Sequence, residues 1–151
     1  MSAQKTVHIR PFAAADRGAW GEMWAAYLAF YETALPPGTT DDTWARFVRP
    51  APGHIGLIAE GEGGPIGFAH ALLHPGTWSP KPVCYIEDLF VREEARGLGA
   101  GRALIEALAA KGRAEGWLRL YWQTARSNDT AQHLYDKLAK RTDWLRYDLD
   151  L

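Results

Sequence analysis

Two adjacent carboxylates, Glu87 and Asp88, interrupt an otherwise apolar, β-prone run from Val83 to Val91. A carboxylate inside such a strand must find partners or let its pKa rise, and a raised pKa suits a base working near neutral pH. Side chains alternate along a strand, so the two are expected on opposite faces and in different roles. Beyond that run comes Arg96-Gly97-Leu98-Gly99-Ala100-Gly101-Arg102, between the strand and a helix. Glycines let a ligand approach the backbone, and a helix N-terminus offers unpaired N–H groups. The segment therefore reads as an anion cradle suited to phosphate, with Arg96 and Arg102 adding positive charge. Two common nucleotide patterns do not fit it. Arg102 stands where G-x-G-x-x-G needs its last glycine, and G-K-S/T is absent. Tyr135 lies on an apolar helical stripe with Ala131, Leu134 and Leu138, which alone suits a core tyrosine. Asn128 reads first as a helix cap.

The elements that must position these residues follow from periodicity and breakers. Lys5 to Phe12 reads as a short strand with Val7 and Ile9 on one face. Trp20, Met23, Trp24, Tyr27, Leu28 and Tyr31 recur at helical spacing, predicting a helix from about 14 to 33 with Asp16 as its cap. Pro36-Pro37-Gly38 breaks it, and Asp41 or Asp42 is expected to cap a second short helix. His54 to Glu60 and Ile66 to Leu73 form a predicted hairpin around Gly61 to Pro65, and Val83 to Val91 a buried central strand. A helix follows Gly97 to Gly101 and ends at Gly116. Trp117 to Thr124 reads as another strand. Ser127, Asn128 or Asp129 is expected to cap a last helix, and a strand near Trp144 to Leu151 closes the chain. The predicted order is β-α-α-β-β-β-α-β-α-β, a mixed α/β sheet in a single domain.

Composition narrows the function classes. The chain has 151 residues, 47% hydrophobic and 23% charged, with a net charge of −1, the balance of one ordinary folded domain. Near-neutral charge argues against a dedicated nucleic-acid binder. A single cysteine, Cys84, excludes an internal disulfide framework and a multi-cysteine zinc site, and a reducing compartment is the simplest expectation. Met1 to Arg10 carries no apolar signal core, and no apolar run reaches the ~18 residues a membrane span needs. A cytoplasmic protein with no membrane partner is therefore expected. His8, His54, His70, His74 and His133 show no metal spacing, because residues four apart in a strand lie about 13 Å apart. No metal is assigned. The seven tryptophans are read as core and surface packing, with a partly aromatic cleft as the other use.

Arg96 to Gly101 meets the pattern Arg/Gln-x-x-Gly-x-Gly/Ala and resembles the acetyl-CoA pyrophosphate loop of the GNAT N-acetyltransferase superfamily. Leu89-Phe90-Val91 resembles the end of that family's central strand, which bulges and opens a gap beside the next strand. Asn128, Ala131 and Leu134-Tyr135 resemble its second signature, N-x-x-A-x-x-L-Y. These signatures span residues 83 to about 141. The resemblance implies a mixed, mostly antiparallel central sheet flanked by helices, with acetyl-CoA as donor. Acetyl transfer from a thioester to an amine requires the donor held, its carbonyl polarised, the amine deprotonated and the departing thiolate protonated. The resemblance assigns holding to backbone N–H groups of Leu98, Gly99, Ala100, Gly101 and Arg102. The backbone around Leu89, Phe90 and Val91 would pair with the pantetheine arm. The N–H of Leu89 would serve as an oxyanion-type contact worth about 3 kcal/mol. Asn128 would bond the pantetheine amide. Tyr135 would be the acid, its reference pKa of about 10 suiting proton delivery to a thiolate whose conjugate acid lies near 8.5. The string Tyr85 to Val91 is similar to that of diamine and polyamine acetyltransferases, which implies Glu87 as base through water and Asp88 as amine binder. Direct attack by the amine leaves Cys84 as a small buried hydrophobe.

Tyr27, Tyr31, Glu32, Asp41, Asp42 and Trp44 cluster along the first two predicted helices, and aromatic plus acidic residues suit a cationic amine. Tyr31, Glu32 and Asp88 are the expected substrate contacts. Past the tyrosine, Leu138 to Trp144 replaces the family's usual Gly-Phe and leaves one strand's worth of chain. This looks like the branch with histone- and polyamine-acetylating members. A sheet missing its last strand leaves an edge, and a homodimer joined through the C-terminal strands is expected. The acceptor is read as a small cationic amine. A protein lysine or N-terminus stays open as the acceptor, as does a non-catalytic acyl-CoA sensor.

Overall fold

The computed structural model describes residues 6–151, so the Lys5 start of the first expected strand lies outside the described residues. Five strands form one sheet in the order β1 (His8–Pro11), β2 (His54–Gly61), β3 (Gly64–His74), β4 (Val83–Val91) and β5 (Arg119–Tyr121). The first four are antiparallel neighbours, and β5 runs parallel to β4. Helices α1 (Arg17–Phe30) and α2 (Thr39–Val48) follow β1. Helix α3 (Ala100–Glu115) joins β4 to β5, and α4 (Asp129–Leu138) follows β5. The architecture is the mixed, mostly antiparallel sheet with flanking helices read from the sequence.

Strand alternation divides the core in two. On β2 and β3 the neighbours Ile58 and Ala59, and Phe68 and Ala69, face opposite ways. The small side, with Ala59, Ala69, Ala71 and Cys84, lets α3 come close and seat Leu104, Ile105 and Leu108. The large side, with Ile58 and Phe68, meets Trp20, Met23 and Trp24 of α1 and Phe47 of α2. Here the rings of Trp20 and Trp24 stack with centroids 5.7 Å apart. Trp44 joins the same cluster, stacked 5.5 Å from Phe12. Gly67 is required where β3 crosses β4, because a Cβ there would stand 2.7 Å from the Phe90 carbonyl oxygen.

Several expectations need correction. The hairpin turn is tighter than read, with Gly61 paired to Gly64 across Glu62-Gly63. Asp16 stands at the N-cap position of α1, as read, but its side chain makes no bond to the N–H groups of that helix. Its carboxylate instead accepts two bonds from Arg10, at 2.7 and 2.8 Å, and one from the Ala13 N–H at 2.8 Å. Neither Asp41 nor Asp42 caps α2. Gly38 holds that position at a positive φ of 85°, and the two aspartates pair with Arg17 and Arg46. Strand β5 is only three residues long. No strand follows α4 among the described residues. The apolar residues Leu145, Tyr147, Leu149 and Leu151 alternate with Arg146, Asp148 and Asp150, yet that segment stands in solvent. A strand exists only through pairing, and this segment pairs with none of the five strands.

Candidate active site

The site is created where β4 and β5 part. They pair only through Val83–Tyr85 and Arg119–Tyr121, so β4 from Ile86 to Val91 is paired on its β3 side alone. Unpaired backbone groups along this edge suit an extended ligand that adds as a strand. The parting coincides with a β-bulge. His70 pairs with Asp88 and Ala71 with Ile86, which leaves Glu87 as the extra residue. Consequently Ile86 and Leu89, three residues apart, both face the α3 core, while Asp88 lies opposite His70 and Phe90 packs on the α1 side. Strict alternation had set Glu87 and Asp88 on opposite faces and in unrelated roles. The bulge breaks that strict alternation at Glu87, and the Asp88 charge adds to the rise in the Glu87 pKa.

A hollow between the parted strands is lined by Tyr27, Tyr31, Glu87, Leu89, Trp122 and Tyr135. Partial withdrawal from water, then the Asp88 charge, lift the Glu87 carboxyl above its ordinary value, and Arg146 opposes them. Tyr135 comes from α4, with its ring edge-on to Trp122 at 5.4 Å. Burial, then Tyr31, raises its phenol pKa, so the hydroxyl stays protonated at neutral pH. Tyr31 ends α1, edge-on to Tyr27 at 5.0 Å. Glu32 beside it takes a left-handed φ of 51°, uncommon for a residue with a Cβ. A second hollow, of about 370 Å³, shares Tyr31 and is lined also by Phe30, Glu32, Ser127 and Asn128. Asn128 caps α4, its side-chain oxygen accepting from the Ala131 N–H at 3.3 Å.

Asp88 is held from behind. The buried His70 contacts its Oδ2 through Nδ1 at 2.9 Å, and Trp20 Nε1–H donates to His70 Nε2 at 3.0 Å. Tryptophan can only donate, so Nε2 accepts and Nδ1 carries the proton given to Asp88. Burial lowers the His70 pKa further, despite Asp88. The Tyr27 phenol lies against the same carboxylate. Burial and then the Asp88 charge keep it protonated. Sequence reasoning missed this arrangement and weighed His70 only as a metal ligand. The signal was present: in Ile66-Gly67-Phe68-Ala69-His70-Ala71-Leu72, His70 shares the parity of Phe68 and Leu72. It therefore had to be buried with a partner.

The glycine segment is built to receive an anion. Gly97 and Gly99 take positive φ values of 87° and 81°, with open space where a Cβ would stand. Helix α3 starts at Ala100, its first turn holds no acidic residue, and no side chain caps it. The earliest helical bond there runs from Ala103 N–H to Gly99 O, which leaves the first-turn N–H groups outside the helical ladder. Arg96 is exposed, and Arg102 is tied to Glu106 at 2.8 Å. Leu98 is exposed, Ala100 is buried, and Gly101 fits against Val91 and Leu134. These features, with the open edge of β4, fit a donor carrying a pyrophosphate and an extended arm. Of the acceptor residues expected from sequence, Tyr27, Tyr31, Glu32 and Asp88 gather here. Asp41, Asp42 and Trp44 do not, because α2 turns them to surface ion pairs and to the aromatic core. Burial pushes the Cys84 thiol up to about 12, consistent with a packing role. His70 and His74 lie apart in β3, and the latter bonds Tyr121 at 2.8 Å. Among the described residues no cluster of three or more His, Cys, Asp or Glu side chains could hold a metal. No described helix is long and apolar enough to cross a membrane.

Comparison with known proteins agrees with this geometry. Residues 20–139 match the acetyltransferase (GNAT) family. A D-amino-acid N-acetyltransferase of Saccharomyces cerevisiae is 40% identical over 134 residues, covering 87% of this chain and 83% of the relative. A thialysine N-epsilon-acetyltransferase of Caenorhabditis elegans is 32% identical over 103 residues, 65% of this chain and 62% of the relative. The fold is similar to that of a ribosomal-protein-alanine N-acetyltransferase from Brucella melitensis, with a TM-score of 0.77 and 24% identity over 97% of this chain and 99% of that one.

Proposed function

The chain belongs to the acetyltransferase (GNAT) family, as an N-acetyltransferase dependent on acetyl-CoA, and on that premise we propose that it acetylates a small cationic amine by direct attack on the thioester. The observation that carries this reading is the parting of β4 at the bulged Glu87, with Tyr135, Tyr31 and Asp88 around it. The donor supplies an activated acetyl group and a thiolate that leaves. Residues 96–102 hold its pyrophosphate through the free N–H groups that open α3, and the unpaired edge of β4 at Leu89–Val91 holds its arm. Asn128, which caps α4, bonds the pantetheine amide. The Glu87 carboxylate takes a proton from the ammonium through water, and its raised pKa suits that task. The Tyr135 hydroxyl delivers a proton to the departing sulfur. The Asp88 carboxylate, with the Tyr27 and Tyr31 rings, binds the cation. The two relatives named above acetylate amino-acid amines, which supports an acceptor of that size.

We also propose a homodimer built from the C-terminal segments. Leu145, Tyr147, Leu149 and Leu151 form one exposed apolar face with strand periodicity, and β5 is an open sheet edge that such a strand could extend. The test of the activity is acetyl-CoA consumption with product mass, across spermidine, lysine, thialysine, D-amino acids, an aminoglycoside and a histone-like peptide. Turnover on the small amines is expected. Turnover on the peptide alone would replace this reading with a protein acetyltransferase. Tight acetyl-CoA binding without any turnover would favour a sensor.

A further inference from the structure

We propose that Trp20 and His70 are positioning residues that hold Asp88 as a constant anion for the acceptor, by locking one histidine tautomer. The inference rests on the cationic-amine reading above, but its first readout does not.

The chain of contacts is short and almost dry. Trp20 and His70 are both fully buried, while Asp88 keeps one-fifth of its side chain exposed and lies against the Tyr27 phenol. Trp20 Nε1–H reaches His70 Nε2 at 3.0 Å, and His70 Nδ1–H reaches Asp88 at 2.9 Å. With Nε2 occupied by a donor, the ring cannot take a second proton without breaking the tryptophan bond. An unlocked histidine beside a carboxylate would charge as pH falls and neutralise it. The lock prevents this, so the His70–Asp88 pair keeps a net charge of −1 at the pH where an amine is protonated.

The surroundings fit that purpose. From α2, Phe47 stacks on the imidazole at 4.3 Å, and Arg46 disfavours a charge on it. Phe12 stands 5.7 Å away, and from α1 Trp24 is 5.3 Å away. Within β3, Phe68 stands 4.8 Å away. Among the described residues, the only charged partner hydrogen-bonded to the ring is Asp88 of β4. Beyond it, Tyr27, Tyr31 and Glu87 feel the Asp88 charge. The anion thus presents its open side to the aromatic cleft, and its back is fixed to a neutral donor.

Trp20→Phe keeps an aromatic ring and removes the lock. In the parent, nitrogen-15 NMR of His70 should report the Nδ1–H tautomer, unchanged from pH 5.5 to 8. In Trp20→Phe, where Nε2 is free to take a proton, the imidazole should titrate at a higher pH than in the parent. The KM for a cationic amine should then rise about tenfold between pH 8 and 5.5 relative to the parent, with kcat for saturating amine and KM for acetyl-CoA little changed. A second pair guards against a folding defect. His70→Asn retains an N–H near the Nδ1 position and should keep amine KM within about threefold, whereas His70→Leu should raise it about tenfold or more. An Nε2–H or charged His70 in the parent overturns the lock. Equal amine KM for the Asn and Leu variants overturns the positioning role when Asp88→Asn still raises that KM. An amine KM unchanged in Asp88→Asn as well removes the cationic-acceptor reading, which separates the two failures.

Discussion

At the scale of single residues, the site divides labour between groups whose surroundings push their proton affinities the same way for different uses. Burial keeps Tyr135 protonated, as an acid must be. Tyr135→Phe is expected to leave acetyl-CoA affinity unchanged and lower kcat by about 10²-fold, the usual scale for a general acid. Unchanged turnover across pH would remove the acid role. Glu87 carries a raised pKa, chiefly from burial and then from Asp88. As a base it works only when ionised, so kcat/KM should rise with pH through a value above the ordinary carboxyl range, and Glu87→Gln should abolish that acidic limb. A limb that survives the substitution belongs to another group. The rise at Glu87 was readable from a carboxylate set in an apolar run, as expected from the sequence. Glu87 and Asp88 stand out in Val83–Val91, but their relation depends on a bulge that only pairing with β3 defines.

At the scale of elements, two junctions decide whether the site forms. The first is the turn into α3. Gly99 adopts a positive φ with open space beyond it, so a side chain there is strained and, on the proposed reading, would project where the donor's pyrophosphate binds. Gly99→Glu should weaken acetyl-CoA binding more than tenfold by titration calorimetry. Normal affinity would contradict the cradle. The second junction ties β1 to α1. Arg10 holds Asp16 by two bonds and Glu60 of β2 by a third at 2.8 Å. Arg10 keeps the Asp16 carboxyl below its ordinary value, and burial opposes it. A depressed folded-state pKa contributes stability that is present above the unfolded value of 3.8 and lost as pH falls below it. Asp16→Asn should therefore lower stability at pH 7 by about 2 kcal/mol in urea unfolding, with the difference shrinking below pH 3.8. A constant difference across pH would mean that packing, not charge, accounts for it. The glycine turn was readable because it is local. Asp16 was readable as the N-cap of α1, but its pairing with Arg10 was not, because that partner is set by how β1 meets α1.

At the scale of the whole molecule, the open question is what the C-terminal segment meets. Trp144, Leu145, Tyr147, Leu149 and Leu151 are all largely exposed, an unusual load of apolar surface for one end of a chain. Light scattering at micromolar concentration should give a dimeric mass, and truncation after Asp143 should give a monomer. A monomeric parent would sink the assembly. The tail also runs near the site, since Arg146 opposes the rise in the Glu87 pKa. Truncation should therefore alter the acidic limb of the pH profile as well as the mass.

What the sequence determined by itself is whatever chain neighbours impose. The apolar period of 3.6 fixes the helices. The unbroken run Val83–Val91 makes the central strand, with the bounds observed. Gly97, Gly99 and Gly116 mark turns that need a positive φ, and Asn128 caps α4. What only the tertiary structure decided lies between residues far apart in the chain. His70 finds Trp20 fifty residues away and Asp88 eighteen away. The bulge at Glu87 exists only as a mismatch between β3 and β4. The closing strand failed for the same reason. A helix satisfies its own backbone, whereas a strand needs a neighbour that its sequence cannot name.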